Sequence, residues 1–215
     1  MDWHAWHDAY RSPDSPLGRR LHTVRERVRL VLDEAPPGPV RAVSVCAGQG
    51  HNLIGALAGH PRRADVRARL VELDPRNTAV ARERAAALGL DGVVTATLDA
   101  STTDAYLGAV PADLVLAVGV FGNLTVEDIE RATGFLARMC APGGTLVWSR
   151  NRKVPDVFPR VCGWLEERGF ARVWESEPDA PQGVGVHRFT GGAPDLLPPG
   201  ERMFTFVGYD VLNRR

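Results

Sequence analysis

The feature that most constrains the fold is a regular alternation of strand-like and helical segments between residues 40 and 176. Short apolar runs typical of buried strands are each followed by a segment with helical periodicity or helix-capping residues. Parallel strands are joined by such crossovers, which cover both faces of the sheet with helices. With 215 residues in total, the chain is predicted to form one α/β domain, doubly wound around a mostly parallel seven-stranded sheet.

The predicted elements follow from this alternation. Strands are expected at 40–45, 67–73, 93–98, 113–118, 145–149 and 170–175, and helices at 16–34, 52–59, 77–88, 102–107, 125–140 and 157–168. Two later segments, 184–189 and 203–207, also have strand-like patterns. Either is a candidate for the antiparallel edge partner of 170–175, and the pattern does not choose between them.

Charge and cysteine content limit the classes of function. Lys+Arg and Asp+Glu both number 26, so the formal net charge is zero and lacks the basic surplus typical of nucleic-acid-binding domains. The three cysteines are widely spaced, which predicts neither a disulfide framework nor a zinc site. The N-terminus lacks the apolar core of a signal peptide, and no apolar run is long enough to cross a bilayer. We therefore expect a cytoplasmic protein with no membrane association.

The first strand-to-helix turn has the sequence Cys46-Ala47-Gly48-Gln49-Gly50. In open parallel sheets, ligands bind beyond the carboxyl ends of the strands, and glycines at this turn allow the backbone to approach a ligand closely. Glu72 ends the second strand about 20 residues later, where an acid is placed to accept hydrogen bonds from ribose hydroxyls. Asp99 follows the third strand, where a carboxylate is placed to meet an adenine amino group.

Taken together, the turn, Glu72, Asp99 and the later Pro142-Gly143-Gly144 turn resemble the class I S-adenosylmethionine-dependent methyltransferases over residues 40–176. More narrowly, the segments CAGQG, GVFGN and GVGVHRF look like uncharacterised actinobacterial methyltransferases of similar length. The resemblance implies a Rossmann-like methyltransferase fold and S-adenosylmethionine as cofactor, with S-adenosylhomocysteine as product. The cofactor-binding residues that it implies are Cys46, Ala47, Gly48, Gln49, Gly50, Glu72, Leu73, Asp99, Ala100, Val118 and Gly119, with Leu73 packed on adenine.

The sequence departs from the family pattern at the start of the turn. Ser44 stands where the family often has an acid, and Cys46 and Ala47 occupy the first two positions of the glycine stretch. This leaves open how the methionine ammonium is held; the carbonyls of Cys46 and Val118 are alternative acceptors. A dinucleotide is the main rival ligand, but its fingerprint requires a small third residue where this chain has Leu53.

Candidates for the chemistry come from segments expected over the same sheet edge. Methyl transfer depends mainly on alignment and exclusion of water, and it needs a base only if the acceptor must lose a proton. The catalytic candidates are His187, Tyr10 and Asn123, and the substrate-binding candidates are Trp6, His7, Phe121 and Arg150.

Each of these candidates has a structural alternative. The N-terminal aromatic residues either form a lid or simply pack on the domain. His187 is a possible general base, although a lone histidine is more often structural. Asn123 is alternatively a helix cap. Arg150 is a candidate for binding a substrate carboxylate, and the alternative is that it belongs to a solvated run of charged residues. No carboxylate cluster is evident, so we predict no metal.

The domain is divided accordingly into an N-terminal lid and helix (1–36), a cofactor-binding core (40–176), and C-terminal strands with a substrate-side loop (177–215). The leading hypothesis is a methyltransferase that acts on a small molecule by direct methyl transfer. The alternatives are an RNA or protein methyltransferase, a non-catalytic S-adenosylmethionine-binding module, and a dinucleotide-dependent oxidoreductase. Oligomeric state is not predicted.

Overall fold

A computed structural model describes residues 10, 12–193 and 195–212 of the chain, without the side chains of residues 209 and 210. The predictions for Trp6 and His7, and most of the predicted lid, fall on residues 1–9 and so lie outside the described residues.

Seven strands form one sheet, in the order β3-β2-β1-β4-β5-β7-β6. Strands β1 to β5 are mutually parallel, and β7 runs antiparallel to both of its neighbours. The strands are β1 (Val40–Ser44), β2 (Val66–Glu72), β3 (Val93–Thr97), β4 (Ala112–Ala117), β5 (Cys140–Asn151), β6 (Phe170–Glu175) and β7 (Gln182–Phe189). The helices are α1 (Pro16–Glu34), α2 (Leu53–Leu57), α3 (Pro75–Ala87), α4 (Val126–Met139), α5 (Phe158–Glu167) and α6 (Tyr209–Leu212).

The doubly wound, mostly parallel seven-stranded sheet is confirmed, and two details of its C-terminal half are corrected. The segment predicted at 184–189 is the antiparallel partner of β6, but it lies between β5 and β6, so that β6 forms the edge. The segment predicted at 203–207 is not a strand. It follows an isolated bridge between Arg202 and Thr102 and crosses the strand ends as extended chain.

Helix α1 begins where the sequence predicts. The Ser15 hydroxyl accepts a hydrogen bond from the backbone N–H of Gly18 at 3.0 Å, and Pro16 occupies the first turn. The apolar stripe of α1 is buried against α2, β5 and β7. An apolar core covers each face of the sheet, one containing α1 to α3 and the other α4 and α5. This leaves the carboxyl ends of β1 to β5, here called the carboxyl edge, to carry the loops that form a site.

Within the described ranges, no helix is both long enough and apolar enough to cross a membrane.

Candidate functional site

A cavity of about 470 Å³ lies at the carboxyl edge. It collects side chains from the ends of β1 to β5, from α1, and from the C-terminal segment that crosses the strand ends. Its described lining consists of Tyr10, Leu17, Arg20, Cys46, Ala47, Gly48, His51, Asn52, Glu72, Leu73, Asn77, Asp99, Ala100, Ser101, Val118, Gly119, Gly122, Asn123, Ser149, Arg150, Asn151, Lys153, Gln182, Phe204 and Phe206. Most of the residues predicted from sequence therefore meet at one place.

The turn after β1 presents its first three residues to the cavity. Cys46 has φ +48° and Gly48 has φ +55°, both in the left-handed region, which L side chains rarely adopt. The Ala47 N–H donates to the Val71 carbonyl at 2.8 Å and anchors the turn to β2. This conformation exposes the backbone of Cys46, Ala47 and Gly48 to a ligand.

Glu72 is tied to this turn through both carboxylate oxygens. One oxygen accepts from the Gly48 N–H at 2.8 Å, and the other accepts from the Asp74 N–H at 3.0 Å. Each carboxylate oxygen can accept more than one hydrogen bond. Glu72 is therefore held in a fixed orientation at the cavity wall while it keeps capacity for hydroxyl donors.

Asp99 is similarly oriented. One of its carboxylate oxygens accepts from the Ser101 backbone N–H at 2.9 Å and from the Ser101 hydroxyl at 2.6 Å, and the other lies 3.6 Å from Arg202. Burial opposes ionisation of Asp99, but the two Ser101 hydrogen bonds and the Arg202 charge outweigh it and lower the pKa of the carboxyl. Asp99 is therefore an anion at neutral pH.

Leu73 and Ala100 flank these two acids. Leu73 is 67% exposed although it is a large apolar residue, and it lies at the cavity wall. Ala100 is buried and also lines the cavity. At the end of β4, Val118 and Gly119 complete the predicted cofactor-binding residues that reach the cavity.

Gln49 and Gly50 do not line the cavity, contrary to prediction. The Gln49 side chain is buried, and its amide donates to Asn77 Oδ1 at 3.3 Å. A Cβ on Gly50 would lie 2.4 Å from Ile54 Cδ1. Gly50 therefore serves the close packing of the turn against α2, and its backbone does not approach the ligand space.

His187 is also corrected. It is fully buried in β7 and does not line the cavity, and its Nδ1 accepts a hydrogen bond from Trp148 Nε1 at 3.1 Å. Burial is the main cause that lowers its pKa to about 4, helped by the charge of Arg172. His187 is thus a neutral packing residue that does not reach the cavity, and we remove it from the catalytic candidates.

Phe121 points into the core, contrary to the prediction that it contacts substrate. It is 1% exposed, and its ring packs against Trp148 with centroids 5.7 Å apart. The 3₁₀ turn Phe121–Asn123 turns this ring inward and leaves Gly122 and Asn123 at the cavity. The Asn123 amide donates to the Gly119 carbonyl at 2.8 Å, so Asn123 stabilises the loop that follows β4.

Tyr10 and Arg150 both line the cavity, as expected for catalytic or substrate-binding residues. The Tyr10 hydroxyl accepts a hydrogen bond from Arg20, and its ring lies 4.9 Å from the His51 ring. Arg150 Nη1 donates to the Phe121 carbonyl, and burial lowers the pKa of Arg150 although the Asp156 charge opposes the shift.

A substrate-side loop was expected within 177–215, but Arg20, Phe204 and Phe206, which line the cavity, were not among the sequence-based candidates. Arg20 lies within the amphipathic pattern of α1, where it looked like an ordinary polar-face residue, yet it is only 5% exposed. Phe204 and Phe206 belong to the segment predicted as a strand. Backbone hydrogen bonds from Met203 to Ser101 at 2.8 Å and from Val207 to Asn123 at 2.9 Å hold that segment across the cavity.

Cys46 is not placed to act as a nucleophile. Burial, together with the negative charges of Glu72 and Asp99, raises the pKa of its thiol far above neutrality. The protonated thiol is a small, weakly polar part of the cavity wall. Among the described residues, no group of three or more His, Cys, Asp or Glu side chains is arranged to hold a metal ion.

No protein-family model and no curated protein matches this chain. Solved structures do match its fold. An O-methyltransferase family protein from Burkholderia thailandensis is 19% identical with a TM-score of 0.67, over 88% of this chain and 60% of that one. The CurJ carbon methyltransferase is 18% identical with a TM-score of 0.65, over 83% and 56%.

The magnesium protoporphyrin IX methyltransferase from Synechocystis PCC 6803, solved with S-adenosylmethionine bound, is 14% identical with a TM-score of 0.61, over 79% of each chain. At such identities the likeness establishes the fold alone, which is the Rossmann-like fold of class I methyltransferases. The chain spans about 60% or less of the length of the first two neighbours. The closer resemblance to actinobacterial methyltransferases stays a prediction.

Proposed function

We propose that the protein is an S-adenosylmethionine-dependent methyltransferase that acts on a small molecule by direct methyl transfer. The observation that carries the proposal is the order of groups along the carboxyl edge. Asp99 follows β3, Glu72 ends β2, the turn at Cys46–Gly48 follows β1, and Gly119 follows β4, all around one cavity. Adjacent strands lie about 4.8 Å apart, so this series spans roughly 14 Å and suits an elongated ligand.

The β3 and β2 ends suit an adenosine group. The ionised Asp99 is an acceptor for the adenine amino group, and the exposed Leu73 offers apolar surface for one face of the base. The Glu72 carboxylate, already fixed by two backbone N–H groups, suits the ribose hydroxyls. These residues supply the hydrogen-bond acceptors and the apolar surface that an adenosine requires.

The β1 and β4 ends suit the methionine part of the cofactor. Ser44, at the position where related proteins often have an acid, is only 5% exposed and does not line the cavity. We assign the ammonium group to backbone carbonyls, those of Cys46 and Val118, because both residues line the cavity beside the turn. Carbonyl acceptors hold an ammonium group without a counter-charge on this side.

When bound, the cofactor supplies an electrophilic methyl group on sulfur, and transfer to the acceptor leaves a neutral thioether. The role of the protein is then to align the acceptor with the methyl group and to exclude water. Asn123 stabilises the loop after β4 through its bond to Gly119, and Phe204 covers the cavity from the C-terminal segment. Tyr10 is the hydroxyl we retain as a candidate for proton transfer, because it lines the same cavity.

Three observations favour this ligand and acceptor class over the alternatives. Leu53 is 1% exposed and packs within the core at the position where a dinucleotide fingerprint requires a small residue. The cavity volume of about 470 Å³ is typical of small-molecule sites. The formal net charge of zero also gives no support to an RNA acceptor.

Isothermal titration tests the proposal. S-adenosylmethionine and S-adenosylhomocysteine should bind the wild-type protein at one site, and NAD⁺ should not bind. Failure of both sulfur ligands to bind at high micromolar concentration would refute the proposal, and saturable NAD⁺ binding would favour the oxidoreductase. A salt-dependent gel shift with RNA would favour a nucleic-acid acceptor.

A further inference from the structure

The charges around the cavity are divided between its two ends. Among the described residues that line it, the acids are Glu72 and Asp99, at the β2 and β3 ends. The arginine and lysine side chains of the lining lie elsewhere: Arg20 on α1, Arg150 at the end of β5, and Lys153 just beyond it. Among these lining residues, the charged side chains near the β5 end, next to where an acceptor would meet the methyl group, are therefore all positive.

Arg20 and Arg150 lack a carboxylate partner among the residues that the structure describes. Arg20 is 5% exposed; it donates to the Tyr10 hydroxyl, and its Nε has no hydrogen-bond partner. Arg150 donates to the Phe121 carbonyl, and its Nε is likewise buried without a partner. The negative charge of Asp156 acts on Arg150 and raises its pKa, but the Asp156 carboxylate forms its ion pair with Arg152, at 3.3 Å.

Two arginines elsewhere in this chain, Arg62 and Arg152, each bind a carboxylate and make further contacts with the protein. Arg62 binds Asp65 at 3.0 Å and also donates to four backbone carbonyls. The Arg152 Nε also lacks a hydrogen-bond partner, but Arg152 binds the Asp156 carboxylate at 3.3 Å, donates to the Ser176 carbonyl at 3.2 Å and stacks on the Phe158 ring. Arg20 is buried and Arg150 is half-buried, and a guanidinium withdrawn from water in this way is destabilised when it lacks a carboxylate partner, unless an anion completes its environment. Arg20 and Arg150 thus both point to anionic ligands.

The positions of the two arginines assign them to different anions. The Arg20 guanidinium lies beside Gly119, 3.7 Å from where a Cβ would stand, and it donates to the Tyr10 hydroxyl. This is the methionine end of the proposed cofactor site. Arg150 lies one strand further along the sheet, at the end of β5. The cofactor carries a single carboxylate, so it can neutralise only one of these two arginines.

We propose that the acceptor substrate carries an anionic group, a carboxylate or an anion of similar size, which binds Arg150 while Arg20 binds the carboxylate of the cofactor. The inference rests on the proposed function, because the charge count assumes that the cofactor is bound. It restricts the acceptor to small organic anions in which the nucleophilic atom and the anionic group both fit beyond the end of β4.

The experiment has one arm for each arginine. For Arg20, S-adenosylhomocysteine and 5′-methylthioadenosine, which lacks the amino-acid part, are titrated into wild type and into Arg20→Gln. For Arg150, trifluoroacetate is titrated into the S-adenosylhomocysteine complex and followed by ¹⁹F NMR, with trifluoroacetamide as the neutral isostere. Arg63→Gln is the control, because Arg63 is exposed and the charge change is the same.

The expected results separate the two sites. Arg20→Gln weakens S-adenosylhomocysteine binding about tenfold or more and leaves 5′-methylthioadenosine binding unchanged. The wild-type complex and Arg63→Gln bind trifluoroacetate saturably and do not bind trifluoroacetamide. Arg150→Gln weakens trifluoroacetate binding about tenfold or more, while its affinity for S-adenosylhomocysteine shows that it is folded.

Three results would overturn the inference. One is the absence of saturable trifluoroacetate binding to the complex, and another is trifluoroacetate binding that Arg150→Gln does not weaken. The third is a loss of S-adenosylhomocysteine affinity, but not of 5′-methylthioadenosine affinity, in Arg150→Gln, because Arg150 would then bind the cofactor carboxylate. If wild type binds no S-adenosylhomocysteine at all, the proposed function itself has failed.

Discussion

Replacing Glu72 by alanine should weaken cofactor binding by a predictable amount. The carboxylate is half-buried and fixed by the Gly48 and Asp74 N–H groups, and the remaining lone pairs of its oxygens are assigned to the ribose hydroxyls. Hydrogen bonds to charged groups contribute about 1.5–3 kcal/mol each, and less when water replaces the lost partner. We therefore expect Glu72→Ala to cost about 1–3 kcal/mol, or roughly 5- to 150-fold in affinity.

A second ligand distinguishes a direct contact with ribose from a loosened turn. Isothermal titration compares S-adenosylhomocysteine with its 2′,3′-dideoxy analogue, which lacks both hydroxyls. The variant should lose affinity for S-adenosylhomocysteine and lose much less for the analogue. Glu83→Ala, at an exposed position of α3, is the matched control and should bind both ligands as wild type does. Equal losses for the two ligands would refute the assignment of Glu72 to ribose, and unchanged affinity would remove it from the site.

Three further predictions concern the core and the thiols. Gly185→Ala should lower the free energy of unfolding by about 1–3 kcal/mol in denaturant titrations, because its Cβ would lie 2.5 Å from the Trp148 ring; Gly163→Ala, where a Cβ meets nothing within 4 Å on α5, should instead be neutral or stabilising. The pKa of His187 falls to about 4 on folding, so the unfolded chain takes up this proton at a higher pH than the folded chain does. The contribution of His187 to the free energy of unfolding should therefore be complete above about pH 6.5, and up to about 3 kcal/mol of it should be lost as the pH falls through 4. His187→Asn should lose that share of the decline, and an unchanged pH profile would contradict the assignment. All three cysteines should react slowly with a thiol-specific reagent at neutral pH until the protein unfolds, since burial raises each pKa; rapid labelling of Cys46 in the native state would count against the account.

The parts of the site that follow directly from strand ends were predictable. Glu72 and Asp99 each come at the end of a buried apolar run, and parallel strands bring such ends to one edge regardless of how the intervening helices pack. The order of strands and helices along the chain was therefore sufficient to predict that Glu72 and Asp99 lie at the same edge of the sheet.

The errors arise where position depends on contacts distant in sequence. His187 was expected near the site because its segment was expected to project over the same sheet edge, and because a histidine titrates near neutral pH. The strand is instead inserted between β5 and β6 and packs against α1 and α5, so His187 is buried and meets Trp148. Arg20 was not predicted as a site residue. The spacing of apolar residues in α1 does not indicate which polar residue of the helix faces the end of β4.

The most direct test of the central claim is a crystal structure of the protein with S-adenosylhomocysteine. We expect the adenine amino group at Asp99, the ribose hydroxyls at Glu72 and the amino-acid part between the Cys46–Gly48 turn and Gly119. An adenosine placed elsewhere, or a cavity that stays empty under saturating ligand, would contradict it.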